Sequence, residues 1–208
     1  MEAQPKEAQD KMTPDKSLNE LRLGNQRFVN KNQLNRDLLQ QVKQTSTGQY
    51  PFATILSCID SRVSSELIFD QGIGDIFSVR IAGNFVNEDI LGSMEFACKL
   101  AGTKLILVLG HTACGAVKGA CDHARLGNLT ALINKIEPAV EAVIEPKEES
   151  QRNSSNINFV NSVAEKNVEM TISNIRSSSP VLAEMEEQGS IKIIGGMYDI
   201  DTGIVHFI

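Results

Sequence analysis

Lys104-Leu105-Ile106-Leu107-Val108-Leu109, with Gly110-His111-Thr112-Ala113-Cys114-Gly115 directly after it, is the stretch on which the fold turns. An unbroken run of Leu, Ile and Val suits a strand buried on both faces of a parallel sheet. Gly110 is expected to stop this strand, the strongest in the chain, and a helical pattern follows from Ala113 to Arg125.

Upstream, Phe52-Ala53-Thr54-Ile55-Leu56 is a second short apolar run, and Ile76 to Ile81 a third, after a Gly72-Ile73-Gly74-Asp75 turn. Between the third run and Lys104, Asp89 can cap a helix carrying Ile90, Leu91, Met94, Ala97, Cys98 and Leu100, which Gly102 can end. Nearer the N-terminus, Thr13 and Pro14 start a helix reaching about Asn30. Asn32 to Tyr50 reads as a polar connection, and residues 1–12 as a flexible segment. Downstream, helical patterns run over Leu129 to Ile144 and Val160 to Ile175, separated by a charged, Ser-rich loop from Glu145 to Asn156. A short helix capped by Ser179, with Pro180 first, ends at Gly189. Ile191 to Tyr198 and Ile204 to Phe207, joined by Asp201-Thr202-Gly203, read as a hairpin. Strands alternating with helices predict one α/β domain over 1–208, with a mostly parallel central sheet flanked by helices and an antiparallel edge strand.

With 208 residues, 41% of them hydrophobic, the chain suits a single globular domain. A formal charge of −6 without a basic stripe argues against nucleic acid as a partner. No apolar run approaches the ~20 residues of a membrane span. The polar segment from Met1 to Lys11 lacks the apolar core of a signal peptide. The expected location is therefore cytoplasmic, or periplasmic or secreted if a signal peptide has been removed.

Cys58, Cys98, Cys114 and Cys121 are too sparse for a disulfide scaffold and suit a metal site. In an α/β fold, ligands gather beyond the carboxyl ends of the strands. Ser57-Cys58-Ile59-Asp60-Ser61-Arg62-Val63 follows one predicted strand, and His111 with Cys114 follows the neighbouring one. Two thiolates and one imidazole form a soft set that favours zinc and leaves a fourth position open to water. A lone His-x-x-Cys arises by chance in many proteins, and the Cys-x-Asp-x-Arg segment is what makes this one informative. Cys121 and His123 are two apart in a predicted helix and point to opposite faces. Cys98 sits among core positions, while His123 and His206 read as surface or edge residues.

In an extended segment Asp60 points the same way as Cys58, with Arg62 beside it. The carboxylate can take the fourth position on the metal, or stay off it and orient the attacking oxygen. Arg62, in a bidentate fork, would hold it off the metal.

Cys58-Ile59-Asp60-Ser61-Arg62-Val63, then Val79-Arg80-Ile81-Ala82-Gly83-Asn84, then His111-Thr112-Ala113-Cys114-Gly115 together resemble the beta-class carbonic anhydrases. The similarity runs from Leu18-Asn19-Glu20-Leu21 and Gly24-Asn25-Gln26-Arg27-Phe28 to the strand near Gly195. It implies a lyase that interconverts carbon dioxide and bicarbonate through a zinc-bound hydroxide. One zinc per chain would be held by Cys58, His111 and Cys114, with Asp60 as the alternative fourth ligand. Asp60 and Arg62 would form the catalytic dyad. Gln49 matches a bicarbonate-contacting glutamine, Phe77 a hydrophobic wall of the carbon dioxide pocket, and Gly115 a main-chain amide beside the metal. The resemblance further implies a homodimer or homotetramer with its active site at the subunit interface. Two departures stand out: Phe96 replaces a tyrosine common in the pocket, and the absence of Trp argues against the family's allosteric bicarbonate site. The motifs also resemble those of carbon disulfide and carbonyl sulfide hydrolases, from which the entry tunnel would distinguish it. A purely structural zinc would need a fourth protein ligand, for which Asp60 is the candidate.

Overall fold

A computed structural model describes residues 1–208. Five strands form one sheet in the order β2-β1-β3-β4-β5. They are β1 (Ala53–Ser57), β2 (Ile76–Arg80), β3 (Leu105–His111), β4 (Lys192–Tyr198) and β5 (Val205–Phe207). The first four run parallel, and β5 pairs antiparallel with β4 at the edge, as the pattern of the sequence predicts.

Alternation along β3 divides its side chains between the two faces. Leu105, Leu107 and Leu109 pack with Leu21, Ile55 and Phe69 on one side. Ile106 and Val108 join a larger core on the other, with Met94, Val160, Val163, Val168 and Ile193. Helix α2 (Pro14–Val29) and the single turn α4 (Ser65–Ile68) cover the first face. The second face is covered by α5 (Glu88–Glu95), extended by a π-helical turn Phe96–Leu100, and by α6 (Gly115–Cys121), α8 (Glu137–Ala142), α9 (Ile157–Ser178) and α10 (Pro180–Glu187). No helix is long and apolar enough to cross a membrane.

The differences from the sequence reading have local causes. Residues 1–12, expected to be flexible, carry helix α1 (Lys6–Asp10), docked by Gln9. Gln9 Nε2 donates to the carbonyls of Pro51 (2.7 Å) and Ala101 (2.8 Å), an anchor that a search for apolar periodicity passes over. The polar connection 32–50 contains α3 (Leu38–Thr45), whose Asp37 cap accepts from the Gln40 amide at 3.0 Å. Asn87, two residues before Asp89, caps α5. The pattern over Leu129 to Ile144 splits into α7 (Gly127–Ile133) and α8, with Pro138 in the first turn of the second piece. Gly110 does not stop β3: it lies inside the strand, so that His111 is the last strand residue.

Candidate metal centre

In the register of β1 against β3, Ser57 lies opposite Leu109. β1 ends there and Cys58 begins the turn out of the sheet, while β3 runs on through Gly110 to His111, paired with β4, which brings Cys58 beside the Gly110-His111 end. Past His111, the Thr112 amide donates to the Tyr198 carbonyl at 3.0 Å, and Thr112 Oγ1 accepts from the Ile200 amide at 3.1 Å. Ala113 takes a left-handed conformation (φ 54°) and donates its amide to Asn161 Oδ1 at 2.9 Å. This reversal turns Cys114 back toward His111 before α6 begins at Gly115.

The donor atoms of Cys58, His111 and Cys114 all lie within 4.8 Å of one another. The two sulfurs are 3.9 Å apart, and all three residues are buried. His111 Nδ1 sits 2.9 Å from the Thr112 carbonyl, which can only accept, so Nδ1 carries the proton and Nε2 the lone pair. That Nε2 is buried with no hydrogen-bond partner. Leaving such an atom unsatisfied costs about 1–3 kcal/mol, and a cation placed among the three donors removes the cost.

The thiols point the same way. The Cys58 thiol is held well below the usual thiol range by the hydrogen bond from Cys114, against the effect of burial, with help from the Gly83 amide. Cys114 is raised, because the neighbouring sulfur and burial both oppose a second negative charge. Without a metal the pair holds on to one proton, and a dication bound by both sulfurs would release it. Two thiolates and an Nε2 lone pair are donors that zinc accepts in tetrahedral geometry. The residues fit that ion.

Asp60 borders the cluster. Its Oδ1 accepts from Arg62 Nε at 2.9 Å and its Oδ2 from Arg62 Nη2 at 2.8 Å, and this fork holds the carboxyl well below the usual carboxylate range. Oδ2 is 3.9 Å from His111 Nε2, but the carboxylate is engaged by Arg62. Arg80, at the end of β2, donates to the carbonyls of Cys58 (3.0 Å) and Asp60 (2.7 Å) and ties this loop to the sheet edge. Gly115 is exposed at the start of α6, next to Cys114.

The other expected site residues lie elsewhere in this chain. Gln49 is exposed and precedes β1, whereas Cys58 follows it, so they sit at opposite ends of a strand about 17 Å long. Phe77 pairs with Thr54 in mid-strand, and its ring lies 6.3 Å from that of Phe96, edge to face. Both rings line a groove of about 740 Å³ along β2 and α5, which none of the three metal-site donors lines. The remaining thiols are core residues: burial raises Cys98 and Cys121 to about 11. His123 is exposed and 3.1 Å from Glu137 Oε1, and His206 is exposed on β5.

Asn161 and Asn167 escaped the reading of the sequence, which named Arg80 only within a motif and gave it no role. One signal was present: Asn167 stands on the buried stripe of α9, formed by Val160, Val163, Ala164, Val168, Ile172 and Ile175, where an apolar residue is the rule.

The family model described as carbonic anhydrase matches residues 53–205. Carbonic anhydrase 2 of Mycobacterium tuberculosis is 36% identical over 158 residues, covering 76% of this chain and 74% of its own. Among solved structures, the beta-carbonic anhydrase CcaA superposes with a TM-score of 0.71 at 26% identity, over 79% of this chain and 82% of that one. A tetrameric beta-carbonic anhydrase of Sordaria macrospora shares the fold with a TM-score of 0.68 at 22% identity, over 81% and 89%.

Proposed function

The chain belongs to the beta-carbonic anhydrase family, and on that premise we propose that it hydrates carbon dioxide reversibly at a zinc ion held by Cys58, His111 and Cys114. The observation that carries this reading is the buried, unpartnered His111 Nε2 facing two thiols 3.9 Å apart. A zinc ion there supplies Lewis acidity, lowering the pKa of a water molecule to about 7 and making a nucleophile available near neutral pH.

The chain's own residues do the rest. The Thr112 carbonyl fixes the His111 tautomer, which keeps the Nε2 lone pair free for the metal. Arg62 keeps Asp60 ionised and off the metal, so that Asp60 can accept a hydrogen bond from the attacking oxygen and aim its lone pair at carbon dioxide. This choice leaves the fourth position to substrate and water. In this reading the Gly115 amide, beside Cys114, donates to a bicarbonate oxygen.

Gln49 and Phe77 are too far from the cluster of their own chain to complete it. In the reading proposed here they serve the partner's site within a homodimer, or a homotetramer such as the one named for Sordaria macrospora. Phe77 and Phe96 would then form the apolar wall that carbon dioxide needs, and the Gln49 amide would orient bicarbonate. The missing Phe96 hydroxyl makes that wall drier.

Stopped-flow hydration of carbon dioxide tests the proposal. The wild-type protein should accelerate it by orders of magnitude, and Cys58→Ser should not. A wild-type protein no faster than buffer would overturn the reading.

A further inference from the structure

We infer that Asn167 is a positioning residue of the metal centre: it anchors Gly83 so that the Gly83 N–H donates to the Cys58 sulfur and sets how much charge that thiolate gives the metal. The inference rests on the zinc reading above.

Asn167 lies in the middle of α9, only 3% exposed. Its Nδ2 donates to the Gly83 carbonyl at 2.7 Å. On the other side of the same residue, the Gly83 N–H points at Cys58 Sγ, 3.4 Å away, a hydrogen-bonding distance for sulfur. Gly83 adopts φ 79° in the turn closed by the Asn84 amide on the Ile81 carbonyl. A side chain at position 83 would run into Ile136, so the position is reserved for glycine. Glycine is also the residue with the most backbone freedom, so the direction of its N–H depends on what holds it. Asn167 is the side chain that does so.

An amide in the apolar stripe of a core helix is costly unless it is hydrogen-bonded. Leucine at this position would suit helix and core alike, which is why the chemistry of the turn, and not the packing of α9, accounts for the asparagine. Hydrogen bonds to ligand sulfurs draw charge away from the metal, and such supporting contacts are worth about 10- to 100-fold in affinity or activity.

The test compares wild type with Asn167→Leu, each loaded with cobalt(II) and, separately, with ¹¹³Cd. In wild type the Gly83 amide proton should couple to the cadmium nucleus through the N–H···S bond, and an Asn167 side-chain amide proton should be protected from exchange. In Asn167→Leu the coupling should vanish and the sulfur-to-cobalt charge-transfer band should move to longer wavelength. The kcat for carbon dioxide hydration should fall about tenfold or more. A metal-loaded variant with unchanged band and coupling would overturn the inference and leave the zinc reading intact. If wild type binds neither metal through sulfur, the zinc reading fails and takes the inference with it. Should the variant not fold, the wild-type cadmium spectrum decides: coupling together with the protected Asn167 amide supports the inference, and the absence of either overturns it.

Discussion

At the scale of single residues, the side chains proposed to hold the ion are distinct from those proposed to direct the chemistry. In the proposed site Cys58 and Cys114 donate through sulfur, so Cys58→Ser or Cys114→Ser should lose most of the zinc, read by elemental analysis. Cys98→Ser and Cys121→Ser should keep it, because both thiols are packed in the core away from the cluster. Full retention of zinc in Cys58→Ser would refute the ligand assignment. Asp60 and Arg62 make a fork that touches no ligand sulfur. Asp60→Ala and Arg62→Ala should therefore cut hydration by about 10²-fold or more, in the range of a lost general acid–base or orienting group, while zinc stays bound. Hydration near the wild-type rate in both variants would reduce the fork to a structural ion pair. The clustering of Cys58, His111 and Cys114 and the Asp60–Arg62 fork were legible in the sequence because each lies within a few residues of a strand end. Asn161, Asn167 and Arg80 were not: their partners are 48, 84 and 22 positions away, and no spacing rule reaches that far.

Elements explain how a short motif becomes a rigid site. The strand-helix alternation, the parallel order and the closing hairpin followed from apolar runs and turn residues. What those signals missed was held by polar contacts. Gln9 docks α1, and Asp37 starts α3 in a stretch with little apolar periodicity. Asp70 is the third such contact. Its carboxylate accepts from Arg27 Nε on α2, from Arg36 Nη1 (each 2.5 Å) and from the Leu34 amide at 3.2 Å, joining three segments under one buried charge. Burial raises its pKa, yet the two guanidiniums and the amide outweigh this and leave it below its ordinary value. A depressed carboxylate stabilises the fold above the unfolded-state pKa of about 3.9, and that contribution is lost as pH falls through the lower folded value. Asp70→Asn should thus cost about 3–5 kcal/mol at pH 7, and the gap to wild type should narrow only below about pH 4. Urea unfolding at several pH values measures it; a gap independent of pH would show that the charge of Asp70 contributes nothing. Gly110 makes a related point about β3. A Cβ there would sit 2.6 Å from Val168 Cγ2 and 2.7 Å from Met197 Sδ. Gly110→Ala should push α9 off the sheet at the cost of about 1–3 kcal/mol and weaken zinc binding through its neighbour His111. Unchanged stability in thermal unfolding would contradict this.

For the molecule as a whole, the separation of Gln49 and Phe77 from the cluster is the fact with the largest consequence. Exposed apolar side chains accompany it, including Phe96, Leu100 and Leu67 near the free edge β2. A shared site makes a complementation test possible. Cys58→Ser and Gln49→Ala chains, each impaired alone, should form mixed dimers in which one site carries both defects and the other carries neither. Activity recovering toward half of wild type, with heterodimers seen by native mass spectrometry, would support the shared site; heterodimers without recovery would refute it. The central claim is simpler than its quaternary setting: one zinc per chain, held by Cys58, His111 and Cys114, makes the chain a catalyst of carbon dioxide hydration. The most direct measurement is a zinc titration of the metal-free protein followed by stopped-flow hydration. The expected result is no catalysis before zinc is added, a rise that breaks at one equivalent per chain, and no rise in His111→Ala. Hydration by the metal-free protein, or zinc-dependent hydration that survives the loss of His111, would contradict it.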